Sequence, residues 1–412
     1  MKIHDITQER VGPCARISAQ ITWEDCQRST QQIYYEVREP FCDALTYTPH
    51  AFLVPAVIPA MRHGEERVAI EGAICPELRD GLQVAMGWIH KWHGAARTPV
   101  RIEADVRTTA PELSTPTRAG CFFTGGIDSL ATVRRNRLAF PVDHPSAFQD
   151  AIIIYGLEVD QPEAFEDVLR ALSVIAEDAR LNLLPVYTNV RSLDEDWQFW
   201  EFEWEGSVYS AVAHALTRRL TTVSIASTYD IANMHDLGSH PLLDPNYGSS
   251  ELRVLHDGIT LSRLEKTHLV MGWDAALQHL RVCNTVKQYR PETINCGACE
   301  KCVRTKLALI SLGALDKTQA FREDDVLPEQ VLNTACIHSP YMEACYSELL
   351  APLAARGRED LVEAIKELVA RYRGDVGWRG SLRRLDKRFL GGRLTHFKRA
   401  FSPNGVERKG PV

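Results

Sequence analysis

Apolar and polar positions in the central part of the chain follow two periods in turn. Short apolar runs, typical of buried strands, are followed by longer segments whose apolar residues recur at helical spacing. The runs predict strands at 119–123, 151–157, 183–188, 222–226 and 252–255, and helices at 129–138, 162–179, 207–219 and 262–271. Strands that alternate with helices are typical of a parallel sheet. The pattern therefore predicts an α/β fold.

The regions on either side have different patterns. Residues 1–117 contain strand-like runs at 32–37, 67–74 and 100–106 and a helical segment, Pro76–His93, with one apolar face. This region is predicted to be an N-terminal α+β module of unknown role. The end of the chain is predicted to be helical. We therefore expect three parts, at 1–117, 118–318 and 319–412.

A glycine-rich turn follows the first central strand, in Phe123-Thr124-Gly125-Gly126-Ile127-Asp128-Ser129. Glycines let the backbone approach a phosphate closely, and the helix that follows points its free N–H groups and positive end at the anion. A tight strand–helix turn without a ligand is the alternative. The expected nucleotide-binding residues are Thr124, Gly125, Gly126, Ile127, Asp128 and Ser129.

Three cysteines lie at two-residue gaps, Cys296, Cys299 and Cys302, and Cys283 lies upstream of them. Four thiolates can close a tetrahedral zinc site. An iron–sulfur cluster also takes four thiolates. A redox dithiol and buried unpaired cysteines are the remaining alternatives.

The turn resembles the Ser-Gly-Gly-x-Asp-Ser loop of the PP-loop ATP pyrophosphatases, with Thr124 in place of the first serine. Together with the cysteine spacing, it resembles the QueC-like branch of that superfamily, the 7-cyano-7-deazaguanine synthases. The resemblance covers about residues 118–314. It implies a parallel-sheet PP-loop core of the adenine nucleotide α-hydrolase-like type and a C-terminal zinc-binding helical region. The implied cofactors are ATP, Mg²⁺ and Zn²⁺.

The resemblance implies an AMP-forming carbon–nitrogen ligase. Such enzymes adenylate a carboxylate, here 7-carboxy-7-deazaguanine or a related acid, and pass the acyl group to ammonia or an amine. An amine on a protein is an open alternative for the acceptor. The implied catalytic residues are Asp128, which would bind Mg²⁺, Ser129, and Lys266, which would lie near the phosphates.

Residues at the other strand ends are further site candidates, because ligands bind beyond the carboxyl ends of parallel strands. Tyr155 and Gly156 are expected to face adenine. A long polar loop lies at 229–250. Its stretch 234–245 stands where the resembled family carries a Tyr-Pro-Asp-Cys-Arg stretch, which this chain lacks. The loop is expected to recognise the substrate or to be a surface excursion. Its candidate substrate residues are His235, Asp236, His240 and Asp244.

The composition and charge of the chain bear on its partners and on its cellular compartment. The net charge of −7 does not suggest a general nucleic-acid binder. The basic tail from 376 is expected to be a solvated segment that docks its aromatic residues on its own domain, with binding of RNA or an acidic protein as the alternative. Of the eleven cysteines, the seven outside the candidate metal site are scattered along the chain, which fits reduced thiols in a cytoplasm. No apolar run reaches membrane-spanning length. The chain could form a homodimer. Two other functions are alternatives to the ligase: sulfur transfer to tRNA, and nucleotide-dependent regulation without turnover.

Overall fold

The computed structural model describes residues 1–109, 118–157, 159–283 and 294–389, with the backbone alone at 375, 376 and 378–389. Contacts group the chain into two compact units, Met1–Val286 and Lys287–Val412. The expected connector at 114–117 and the tail from 390 onward lie outside the described residues.

The described part of the first unit contains ten strands that form one sheet. They are β1 (Lys2–Val11), β2 (Cys14–Thr22), β3 (Gln31–Arg38), β4 (Arg67–Ile74), β5 (Arg101–Val106), β6 (Ala119–Phe122), β7 (Phe148–Tyr155), β8 (Asn182–Thr188), β9 (Thr222–Ala226) and β10 (Arg253–Asp257). The order across the sheet is β10-β9-β6-β7-β8-β3-β2-β1-β4-β5. Six of the nine neighbouring pairs are parallel. The predicted α/β class with a mostly parallel sheet is confirmed.

Helices follow most of these strands. The first unit contains α1 (His50–His63), α2 (Pro76–His93), α3 (Ile127–Ala139), α4 (Pro162–Asp178), α5 (Trp197–Phe199), α6 (Glu205–His214), α7 (Arg263–Met271) and α8 (Asp274–His279). The second unit contains α9 (Glu300–Leu312), α10 (Pro328–Thr334), α11 (Pro340–Ser347), α12 (Leu350–Ala355) and α13 (Glu359–Phe389). In the described residues, no helix combines the length and apolar character needed to cross a bilayer.

The units differ from the three parts expected from the sequence. Strand β3 pairs antiparallel with β8, so the N-terminal strands continue the central sheet. Side chains from both regions also share one buried cluster. Residues 1–117 share their core with the central strands. The two regions therefore belong to one compact unit, and no domain boundary lies at 117.

Helix α1 contains two prolines, and the sequence pattern does not predict it. Proline removes the backbone N–H that would bond to the carbonyl four residues earlier. Pro55 thus frees the carbonyl of Ala51, which accepts a hydrogen bond from the Tyr35 hydroxyl at 2.9 Å. Pro59 frees the carbonyl of Pro55, which accepts one from Trp204 Nε1 at 2.8 Å. Donors from β3 and from the π-helical segment Trp200–Trp204 therefore satisfy both carbonyls inside the core.

The strand order reverses around β6. The chain runs from β6 outward through β7 to β8, then returns to β6 and continues through β9 to β10 on its other side. In open α/β sheets, ligands bind at the carboxyl edge where the order reverses in this way. The glycine turn after β6 lies at this point.

Candidate functional site

The glycine turn joins β6 to α3 with a backbone that requires glycine at its first position. Gly125 has φ of +78°, and a Cβ there would lie 2.6 Å from Leu172 Cδ2. Gly126 is the N-cap of α3. The Ser129 hydroxyl donates to the Gly126 carbonyl at 3.0 Å, and the Gly126 N–H donates to Thr124 Oγ1 at 3.4 Å. The first N–H groups of α3 have no acceptor within the helix, so the turn offers donors to an anion.

Asp128, in the first turn of α3, is bound by two cations. Its Oδ2 accepts from Arg263 Nη1 at 2.5 Å, and its Oδ1 accepts from Lys266 Nζ at 3.1 Å. Two cations therefore meet at one carboxylate beside the glycine turn. The arrangement therefore favours a negatively charged ligand.

Burial and charge act in opposite directions on the pKa of Asp128. Burial alone would raise it, but the charges of Arg263 and Lys266 and their hydrogen bonds hold it below its ordinary value. The carboxylate therefore stays ionised at neutral pH. Its binding of Mg²⁺ stays a prediction, since both oxygens accept from cations here.

Lys266 connects the end of β9 to the glycine turn. Besides Asp128, its ammonium group donates to the carbonyls of Ser227 at 2.5 Å and Thr228 at 3.3 Å. Its side chain is 2 % exposed, so three acceptors replace the water that a buried ammonium loses. Lys266 was expected near the phosphates and does lie beside the turn.

Sequence reasoning missed Arg263, the other partner of Asp128. Arg263 is the first residue of α7, whose N-terminus is fixed by a capping box between Ser262 and Glu265. The sequence pattern did locate this helix start, because it predicts a helix from 262, and the Ser-x-x-Glu spacing agrees with it. It could not have located Asp128 next to it, because that contact joins residues 135 positions apart.

An apolar crevice opens beside the turn, between the ends of β6 and β7 and helix α6. Arg281 lies against the turn, and its backbone N–H donates to the Gly125 carbonyl at 2.8 Å. The crevice volume of about 20 Å³ has room for roughly one water, so a nucleotide base would have to widen it. Its lining includes Phe122, Thr124, Ile152, Ile154, Leu157, Val159, Tyr209 and Arg281.

Tyr155 and Gly156 are not among the lining residues, although their neighbours Leu157 and Val159 are. The Tyr155 ring packs against Phe165, and the Gly156 N–H donates to the Val159 carbonyl at 2.9 Å. A Cβ on Gly156 would lie 1.9 Å from the carbonyl oxygen of Thr188. Close packing therefore accounts for this glycine, and contact with adenine stays a prediction.

Asp244 and His240, two candidate substrate residues, lie in the interior. The Asp244 side chain is 0 % exposed and accepts from the Ser239 hydroxyl at 2.7 Å, the His240 N–H at 3.3 Å and His256 Nδ1 at 2.7 Å. Burial, and next the charge of His256, lower the pKa of His240. Three donors of the protein thus hold the buried Asp244 carboxylate, which does not support direct contact with a substrate.

His235 and Asp236 lie nearer the surface, with side chains 34 % and 47 % exposed. The His235 ring meets that of Tyr229 edge-on, with centroids 4.6 Å apart, just after the end of β9. Of the four candidates in this loop, these two are open to a ligand. Their role in substrate recognition stays a prediction.

The four predicted cysteines come together. The Sγ atoms of Cys283, Cys296, Cys299 and Cys302 all lie within 4.8 Å of one another. Cys296 and Cys302 Sγ are 3.9 Å apart, close to the separation of about 3.8 Å that a tetrahedral ion with 2.3 Å bonds requires. The Cys299 N–H donates to Cys296 Sγ at 3.3 Å. The group can hold one metal ion such as zinc.

Gly297 allows the chain to turn between Cys296 and Cys299 of this group. Its φ is +72°, and a Cβ there would lie 2.3 Å from Glu323 Oε2. Cys299 is the N-cap of α9, and Cys302 lies in its first turn. The turn and helix start thus bring three thiols of the cluster together.

No family model matches the chain, and comparison with curated proteins and with solved structures gave no match either. The glycine turn and the four-cysteine group are therefore the features that bear on its function.

Proposed function

We propose that the protein is an ATP-dependent, AMP-forming enzyme of the QueC-like PP-loop type. It adenylates a substrate carboxylate and passes the acyl group to a nitrogen nucleophile. The observation that carries the proposal is the convergence of Arg263 and Lys266 on Asp128 beside the glycine turn at the strand-order reversal. This combines a phosphate-binding backbone with positive charge at the edge where such sheets bind ligands.

The backbone N–H groups of Gly125 to Ile127 would hold the departing pyrophosphate, and Thr124 and Ser129 would add hydroxyl donors. Arg263 has five N–H donors in a planar fork, so it can keep Asp128 and also contact a phosphate oxygen. Donors fixed where negative charge develops lower the barrier without rearrangement at the moment of reaction. The base would enter the apolar crevice and widen it.

Asp128 would take magnesium in place of one of its two cations, and its depressed pKa keeps it ready as a ligand. When bound, the ion offsets charge on the α and β phosphates. The substrate carboxylate oxygen then attacks the α-phosphorus, and pyrophosphate leaves. The acyl-adenylate reacts with ammonia or an amine to give the product and AMP.

The metal in the four-cysteine group is proposed to be zinc with a structural role. Four thiolates fill a tetrahedral ion and leave no position for a substrate. The short Sγ separations favour a single ion, since an iron–sulfur cluster would place several iron atoms between the thiolates.

The function is tested by incubating the protein with ATP, Mg²⁺ and candidate acids, starting with 7-carboxy-7-deazaguanine. AMP and pyrophosphate formation are followed, together with acid-dependent exchange of labelled pyrophosphate into ATP. Lys266→Met should abolish the exchange, whereas Lys91→Met, at an exposed position of α2, should leave it unchanged.

Other outcomes would favour the alternatives. Tight ATP binding by calorimetry, with no AMP formed with any acid, would indicate a regulator without turnover. AMP formation that needs tRNA and a sulfur donor would indicate sulfur transfer.

A further inference from the structure

His256 and Asp244 form a buried pair that the proposed adenylation does not use. His256 Nδ1 lies 2.7 Å from Asp244 Oδ2, and the two side chains are 4 % and 0 % exposed. Because a carboxylate only accepts hydrogen bonds, Nδ1 must carry a proton. In the neutral ring, Nε2 is then a base with a free lone pair.

The protein fixes this pair from several sides. Asp244 also accepts from the Ser239 hydroxyl and the His240 N–H, so its carboxylate cannot rotate away from His256. A Cβ on Gly206 would lie 2.1 Å from Asp244 Oδ1, so α6 presses directly on the carboxylate. Among the described residues, the ring of His256 forms its hydrogen bond through Nδ1. Its Nε2 atom is not one of the fully buried polar atoms that lack a partner, so this nitrogen can be reached from outside the pair.

The pair lies on the same side of the sheet as the apolar crevice. Asp257, the next residue of β10, contacts Thr132 of α3 at 2.8 Å, so His256 points to the opposite face, where α6 packs. Gly206 touches Asp244, and Tyr209, three residues further along one face of α6, lines the crevice. Strand β10 is two positions from β6, roughly 10 Å across the sheet. For His256 to reach the attacking nitrogen, the α-phosphate and the acyl carbon attached to it would lie on the β10 side of the glycine turn.

We propose that His256 is the general base of the second step, with Asp244 as the residue that positions it. This inference rests on the proposed function. A neutral amine or ammonia attacks the acyl carbon, the carbon–nitrogen bond forms, and the bond to AMP breaks, with AMP taking the electron pair. The nitrogen loses its extra proton to His256 Nε2. Asp244 offsets the charge of the imidazolium until the proton passes to solvent.

His256→Gln separates the two steps. Pyrophosphate exchange with the acid that is active in the adenylation assay should stay near wild type, because the glycine turn is unchanged. Amide formation from ammonium chloride should fall about 100-fold or more, the usual contribution of a general base. Hydroxylamine, which needs no base at neutral pH, should still trap the acyl group as a hydroxamate. His268→Gln, on the exposed face of α7, is the matched control.

Two further variants test the role of each residue. Imidazole added to His256→Ala should restore part of the amide formation. Asp244→Asn should also lower amide formation and keep the exchange, since an amide can hold the ring in the wrong tautomer. Thermal unfolding of each variant shows whether it is folded.

A purely structural pair would lower exchange and amide formation together, would lower the unfolding temperature, and would not respond to imidazole. That result, or normal amide formation in His256→Gln, overturns the role of His256 and leaves the proposed function standing. A wild-type protein that forms AMP with no acid overturns both.

Discussion

Asp128→Asn is the substitution that examines the candidate site most directly. Asparagine keeps the shape of the side chain and removes its charge. One amide oxygen can still accept from one cation, but the amide NH₂ group faces the other cation as a second donor. The site therefore loses at least one charge-assisted hydrogen bond and gains one net positive charge.

The cost can be worked out from the contacts. Removing one partner of a buried ion pair costs about 3–5 kcal/mol when the other charge is left unpaired. Lys266 keeps the carbonyls of Ser227 and Thr228, and the Arg263 side chain is 13 % exposed. Both cations are therefore partly compensated, and we expect a loss of about 2–3 kcal/mol, near the value of a hydrogen bond to a charged group. The protein should stay folded while AMP formation is lost.

The pH dependence of this difference has a definite sign. The pKa of Asp128 is lower in the folded protein than in the unfolded chain, so its contribution is present above the unfolded value of about 3.9. As pH falls through the lower folded pKa, the carboxyl takes up a proton and the contribution disappears. Wild type and variant should therefore differ by a constant free energy of unfolding above about pH 5 and converge in acid.

Urea unfolding at several pH values, with Asp143→Asn as a control at an exposed turn, measures these quantities. A double-mutant cycle with Lys266→Met isolates the coupling between the two side chains. A loss below about 0.5 kcal/mol, no larger than for an ordinary surface substitution, would show that the ion pairs do not form. Normal AMP formation by a folded variant would remove Asp128 from the mechanism.

Three further predictions concern the metal, the fold and the loop. One zinc ion per chain should be found by elemental analysis, and Cys299→Ser should lower both the zinc content and the unfolding temperature, since metal binding is coupled to folding. Gly156→Ala should destabilise the protein by more than about 2 kcal/mol, because alanine at φ +97° would place its Cβ against the Thr188 carbonyl. Gly87→Ala, in an open position of α2, should instead stabilise it by about 0.5–1 kcal/mol. His235→Ala should raise the Michaelis constant for the acid while ATP affinity, measured by calorimetry, stays near wild type.

Each of these has a clear opposite result. If elemental analysis finds iron and the protein has a visible absorption band, the four cysteines bind iron and the zinc assignment is wrong. If Gly156→Ala and Gly87→Ala are equally stable, the Thr188 carbonyl does not lie as close to Gly156 as the structure indicates. Normal use of the acid by the His235 variant would make the loop a surface excursion.

The sequence by itself determined the local elements with a strong period and the clustering of the four cysteines. Strand β9 and helix α2 begin and end where their patterns predict. Both are specified by their own side chains: α2 has a proline in its first turn and one apolar face. The cysteine spacing is equally local, because a glycine turn and a helix start bring three of the thiols together.

Strand β1 is an element that its local sequence pattern does not predict. It is exposed along most of its length, so it lacks the alternation that marks a half-buried strand. Its pairing with β2 and β4, and the pairing of β3 with β8, decide its conformation. Helix α1 also depends on tertiary contacts. Its two prolines disfavour a helix, and hydrogen bonds from Tyr35 and Trp204 satisfy the carbonyls that the prolines leave without a backbone partner.

The same division applies to the candidate site. The glycine turn and Asp128 are readable in the sequence, because a strand, two glycines and a helix start are neighbours in the chain. The partners of Asp128 lie 135 and 138 residues away, and the fold alone brings them to it. The sequence identifies Asp244 only as a polar residue of a loop. Its buried position, and with it the contact with His256, results from packing against α6. Local backbone preferences act over a few residues, whereas burial and charge pairing depend on which distant segments share a core, and only the tertiary structure decides that.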